Sequence, residues 1–159
     1  MEDLQRIGGG NRVRSVLFAC ALALLVPAGC GSEPSRAVPV ECKDASTAVE
    51  RALAAAPGEV RLSGTRLSDC FAPGSDSADG QALGLTFLPA AEHAAAEARA
   101  HPNGPPALRL GFLIGAVHRG VARGRVYAEL GRRIDLELTG VDTTSAAYRR
   151  GERAGRDHG

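Results

Sequence analysis

Leu108-Arg109-Leu110-Gly111-Phe112-Leu113-Ile114-Gly115-Ala116-Val117-His118-Arg119-Gly120-Val121 is the stretch that decides the fold. Its apolar side chains, Leu108, Leu110, Phe112, Leu113, Ile114, Val117 and Val121, surround most of a helical circumference, so a helix over about 106–123 is expected to be buried. Gly111 and Gly115 form a GxxxG pair that lets another backbone come close. The uninterrupted apolar core, Leu110 to Val117, is only eight residues long and is flanked by Arg109 and by His118-Arg119. That is too short to cross a bilayer. The glycines are therefore read as permitting a close helix crossing inside a packed helical core.

Working outward, the spacing predicts four more helices. One begins near Ser46 or Thr47, where Thr47-Ala48-Val49-Glu50 has capping-box spacing. Val49, Ala52, Leu53 and Ala56 share one of its faces, and Pro57-Gly58 ends it. Another runs over about 78–99 with Leu83, Phe87, Ala90, Ala91, Ala94 and Ala98 inward, and Pro89 is expected to kink or split it. His101-Pro102-Asn103-Gly104-Pro105-Pro106 is a break. A third fits 126–138 with Tyr127, Leu130, Ile134 and Leu138 on one stripe and Gly140 as a C-cap. The last fits about 145–154, capped by Thr143 or Thr144. Residues 59–74 read as an ordered loop with a helical turn at Leu67-Ser68-Asp69-Cys70. Val60 and Leu62 alternate as in a strand, but a lone hairpin would not stand by itself. Arg119-Gly120-Val121-Ala122-Arg123-Gly124 faintly echoes Arg150-Gly151-Glu152-Arg153-Ala154-Gly155, too short a match to establish a repeat. The expectation is an all-α protein: a compact four- or five-helix domain.

The other informative stretch lies at the front. Val16 to Val26 is an apolar run that as a helix covers roughly 17 Å, against about 30 Å of bilayer hydrocarbon. With Arg6, Arg12 and Arg14 before it, it fits a signal-peptide h-region. Pro27-Ala28-Gly29-Cys30 follows at once and resembles a bacterial lipobox, with Pro27 where leucine is usual. That resemblance implies lipidation of Cys30 and cleavage before it. The organisation expected is a signal peptide over 1–29, a polar flexible tether over 30–41 and a single helical domain over 42–159. The alternative is ordinary secretion, with cleavage after Ala28. Cysteine parity favours the first: Cys20 leaves with the leader, Cys30 takes lipid, and Cys42 and Cys70 remain as an even pair. Joined, they close a ring of 29 residues. Two free buried thiols are the other possibility, and an oxidising compartment disfavours it.

Charge places few constraints on function. After residue 29 the chain carries sixteen basic and sixteen acidic residues. Residues 30–104 hold six basic against ten acidic, and residues 105–159 ten against six, so the two parts carry −4 and +4. The basic part is read as arginines solvating helix faces; nucleic acid is ruled out as a partner by compartment more than by charge. Eighteen arginines against the single Lys43 look like high-GC codon usage.

His93, His101, His118 and His158 are dispersed; His93 and Glu97 share a helical face but read as a solvent-exposed pair, so no metal and no cofactor are expected. No P-loop, dinucleotide fingerprint or nucleophile elbow is present. Ser68 and Cys70 flank Asp69, yet Cys70 is better used in a disulfide. If a ligand pocket exists beside the helix over 106–123, residue type and placement nominate His118, Arg119, Tyr127 and Tyr148.

With the lipobox, Leu67-Ser68-Asp69-Cys70 and Leu110 to Gly120 in view, the chain resembles small actinobacterial lipoproteins that join a lipid anchor and two extracytoplasmic cysteines to an Ala/Arg/Gly-rich helical body. The resemblance implies location and fold and brings no catalytic residue. The function expected is non-enzymatic binding or an envelope-structural role on the outer face of the cell membrane, held there by lipid, with any protein partner unspecified. The alternative is a small anchored enzyme or ligand carrier.

Overall fold

The structure, a computed structural model, describes residues 37–71, 77–123 and 127–159. The apolar run, Cys30 and the tether as far as residue 36 lie outside the described residues.

Five helices make the body: α1 (Ser46–Leu53), α2 (Ser77–Ala100), α3 (Pro105–Val121), α4 (Ala128–Leu136) and α5 (Ala146–His158). The all-α expectation holds. α3 is the axis, with eleven of its seventeen residues buried, and α1, α2, α4 and α5 all pack on it. Leu83, Phe87, Ala90, Ala91, Ala94 and Ala98 of α2 are buried as the spacing predicts, and Phe87 meets Phe71 edge-on with ring centroids 4.8 Å apart. α2 continues through Pro89 as one helix.

The closest packing is between α3 and α5. A Cβ placed on Gly111 would overlap the carbonyl of Tyr148 and lie 2.9 Å from the Glu152 nitrogen. On Gly115 it would overlap the Glu152 carbonyl, on Gly151 that of Leu108, and on Gly155 that of Phe112. Only hydrogen fits at these four positions, and each such hydrogen points at a carbonyl of the facing helix, the geometry of a Cα–H···O contact. The partners advance together along both chains, so α3 and α5 run in the same direction, with α4 returning between them. Reading Gly111 and Gly115 as a close crossing is correct. The matching Gly151-Glu152-Arg153-Ala154-Gly155 on α5 is the half of the seam that spacing alone does not announce.

Smaller differences have local causes. α1 makes no side-chain cap; its N-cap is Ala45, so the Thr47–Glu50 box is not formed. At α5 the cap is Ser145, whose Oγ accepts from the Tyr148 N–H at 3.2 Å, instead of Thr143 or Thr144. Thr144 instead donates to the Asp142 carboxylate, which lowers that group's pKa. The stretch read as a loop contains a minimal hairpin, β1 (Arg61–Leu62) and β2 (Thr65–Arg66). Ser63 and Gly64 turn it with φ of 46° and 99°, positive at both as a type I′ turn requires. The turn expected at Leu67–Cys70 is present as a 3-10 helix over Leu67–Phe71.

Cys42 and Cys70 form a disulfide with Cα atoms 5.6 Å apart. Upstream of it the chain already belongs to the body. Val38 is buried, its N–H reaches Asp79, and Val40–Lys43 form a 3-10 turn whose Lys43 pairs with Asp79 at 2.5 Å. The hydrogen bond from that lysine holds the Asp79 carboxyl below its usual range.

Candidate functional site

The four residues nominated as pocket contributors divide between two environments. Tyr127 sits at the head of α4 on the core side, its ring edge-on to Phe71 at 6.1 Å and close against Gly80. It serves packing. The other three lie on the side where α3 meets α5, His118 and Arg119 at the last turn of α5 and Tyr148 at its first. His118 Nε2 lies 2.8 Å from Asp135 Oδ1 on α4, and its Nδ1 lies 3.4 Å from Arg156 Nη2 on α5. Arg156 in turn pairs with Glu152 at 2.6 Å. Arg119 donates to the carbonyls of Arg156 and Asp157, closing the C-terminal end of α5 where the helix dipole favours a cation. Tyr148 is buried close enough to feel Glu152 and Asp135. Burial first, and those two carboxylates second, push its hydroxyl pKa up, so it stays protonated.

This cluster is a fastening. An arginine N–H facing Nδ1 selects the imidazole tautomer that keeps its proton on Nε2 and donates it to Asp135. With both ring nitrogens engaged, His118 has no free position for a substrate proton. Tyr148, kept neutral, is a poor nucleophile. The cluster joins three helix ends. Sequence reasoning missed Asp135, Glu152 and Arg156 because each belongs to a different helix from His118, and no spacing rule connects them.

His93 fares differently. Its Nδ1 lies 3.5 Å from Glu50 Oε2 of α1, and both border a cavity of about 210 Å³ that also touches Glu97 and Arg109. The expected His93–Glu97 face is thus joined by a third group. Among the described residues, no set of three or more His, Cys, Asp or Glu side chains is placed to hold a metal ion. His93 remains 58% exposed on its side chain, so this is a solvated contact of little energetic consequence.

A second cavity, about 380 Å³, opens on the other flank of Arg109, between the end of α1, the loop from α2 to α3, and Arg150 of α5. A third, about 330 Å³, lies between α2 and α4, where Gly80, Gly84, Leu88 and Leu130 form an apolar groove beside the 74% exposed Leu85. Cavities therefore do flank α3, at its N-terminal half, and Arg109 is the residue that borders two of them. His118, Arg119, Tyr127 and Tyr148 line neither. The sequence marked Arg109 only as the polar limit of an apolar run.

Ser68, beside Asp69 and Cys70, is fully buried and donates to the Gly159 carbonyl, while Arg123 reaches Asp69 at 2.9 Å. These three residues hold the 3-10 turn against α3 and α5. Among the described residues, no helix is long and apolar enough to cross a membrane.

No known protein family, curated protein or solved structure matches the chain.

Proposed function

We propose that this chain is a lipid-anchored extracytoplasmic protein whose helical body has a non-enzymatic role, binding a partner or serving the cell envelope. The observation that carries the reading is the Cys42–Cys70 disulfide. It uses two of the three cysteines that follow the start of the lipobox-like stretch and leaves Cys30, directly after Pro27-Ala28-Gly29, for the acyl chains. A disulfide also suits the oxidising side of a membrane. Two or three acyl chains, at about 0.8 kcal/mol per buried methylene, give stable anchoring. The saturated hydrogen bonding of His118 and the neutral Tyr148 favour binding over catalysis.

The test is mass spectrometry of the membrane fraction. The reading expects an N-terminal Cys30 carrying acyl chains, and a Cys30→Ala protein that stalls in processing or leaves the membrane. A soluble product beginning at Gly29 would support plain secretion instead. An intact leader with reduced Cys42 and Cys70 would overturn both.

The cavities flanking the first half of α3 favour a second reading, a ligand carrier with its pocket beside that helix.

A further inference from the structure

We propose that the cleft bounded by the end of α1, the α2–α3 loop and α5 binds a small organic oxoanion, a carboxylate or phosphate ester bearing a compact apolar group, gripped by Arg109 and Arg150. The proposal rests on the ligand-carrier reading and is independent of the anchor.

Three observations converge. First, the cavity of about 380 Å³ sets the apolar Ala56, Pro57 and Leu108 beside the polar Asn103, Arg109 and Arg150; no carboxylate lines it. Small-ligand sites combine apolar surface with a few convergent polar groups, and here the polar share is the larger, as a charged ligand requires. Second, among the described residues neither arginine makes a hydrogen bond or ion pair. Arg109 is half-buried, and the two carboxylates on its other flank, Glu50 and Glu97, are not within ion-pair distance. A guanidinium in that position has donors to offer, and a planar oxoanion matches their fork.

Third, the two arginines are rigidly placed with respect to each other. Gly151 packs directly on the Leu108 backbone, so Arg109 and Arg150 each stand one residue from the tightest point of the α3–α5 seam. Their stems therefore rise from two backbones that cannot slide apart, and less ordering remains to be done on binding. The anion's grip falls to side chains, because Pro105 and Pro106 open α3 without N–H groups. The Asn103 amide adds a donor at the rim.

The experiment uses the full chain, purified in a non-ionic detergent, and phenyl phosphate, benzoate, inorganic phosphate and benzyl alcohol as probes, with phosphatidylglycerol vesicles as a separate arm. Binding is read by calorimetric titration. Phenyl phosphate or benzoate should bind saturably below about 10 mM, more tightly than inorganic phosphate, and benzyl alcohol should not bind. Arg150→Gln, at an exposed position, should weaken binding at least about tenfold, and Arg109→Gln should do so further. Circular dichroism of both variants checks that they fold. If vesicles bind through the same two arginines while phenyl phosphate does not, the oxoanion is a lipid headgroup; the converse assigns a free solute. No saturable binding in either arm, or binding unchanged in Arg150→Gln, overturns the site. None of these outcomes bears on whether Cys30 is acylated.

Discussion

Among the described residues α2, α3 and α5 each carry glycines four residues apart, and the pairs have opposite fates. Along α3 and α5, Gly111, Gly115, Gly151 and Gly155 face a backbone so near that no Cβ fits. Along α2, a Cβ on Gly80 would meet only the Tyr127 ring at 3.7 Å, and one on Gly84 only the methyls of Leu130 and Leu88 at 3.9 Å. The first pair of helices has closed into a seam; the second leaves an apolar groove. Identical spacing thus gives a contact in one place and an opening in the other. What decides is whether the facing helix also presents small residues. α5 does, in register with α3. α4 presents Leu130 and Tyr127, which hold α2 off.

The seam also explains how a helix as polar as α5 is held. Only Ala147, Tyr148, Gly151 and Gly155 of its thirteen residues are buried. Little side-chain area is available to stabilise it, so backbone approach, Cα–H···O contacts and the Arg119 closure of its end contribute more.

The comparison can be broken at the seam with the largest effect. Gly115→Leu or Gly151→Leu would force a branched side chain into backbone, and the expected outcome is loss of a cooperative thermal transition, read by circular dichroism. The next effect is covalent. Replacing Cys42 and Cys70 together with Ala should cost ~3–4 kcal/mol by freeing the unfolded chain of its ring constraint, a ring of 29 residues, while leaving the seam's cooperativity intact. Urea unfolding of the two forms measures it.

The smallest effect is electrostatic and lies on the outer face of α4. Hydrogen bonds from Arg132, then Arg133, lower the Glu129 pKa from 4.5 to about 2. A carboxyl lowered on folding stabilises the fold above its unfolded pKa and loses that contribution as pH falls from about 4.5 towards 2. All three side chains are more than half exposed, so the effect should be slight and should fade with added salt. Acid titration of Glu129→Gln against the parent, at low and high ionic strength, checks both.

Much of the helical layout was legible because it rests on periodicity. The inward residues of α2, the Val49–Leu53 face of α1 and the Tyr127–Leu130–Ile134 stripe of α4 follow from spacing alone. α5 was harder. Apart from Tyr148 its buried stripe is made of Ala and Gly, which carry little hydrophobic signal, so its glycine pair read only as a faint echo of Arg119–Gly124. The β1–β2 hairpin was set aside although Val60 and Leu62 alternate, because a lone hairpin is unstable by itself; here it is held by packing on the helical body, with Leu62 buried, and positive φ at Ser63 has no sequence signature as strong as Asn-Gly. The candidate site was the least legible. His118 and Arg119 stand out by residue type, but their partners Asp135, Glu152 and Arg156 come from other helices. Arg109 and Arg150 are forty-one positions apart in sequence and become neighbours only through the seam.

The α3–α5 seam governs the stability of the body, and a pair of alanine substitutions separates it from the α2–α4 groove. Alanine raises helix propensity by about 0.8–1 kcal/mol over glycine at both positions. At Gly84 the added methyl finds room, so Gly84→Ala should stabilise by about 0.5–1 kcal/mol in urea unfolding. At Gly115 it strikes the Glu152 carbonyl, and Gly115→Ala should destabilise by about 1–2 kcal/mol net despite the same propensity gain. Opposite signs are the expected result; equal stabilisation by both substitutions would mean that α3 and α5 do not meet backbone to backbone.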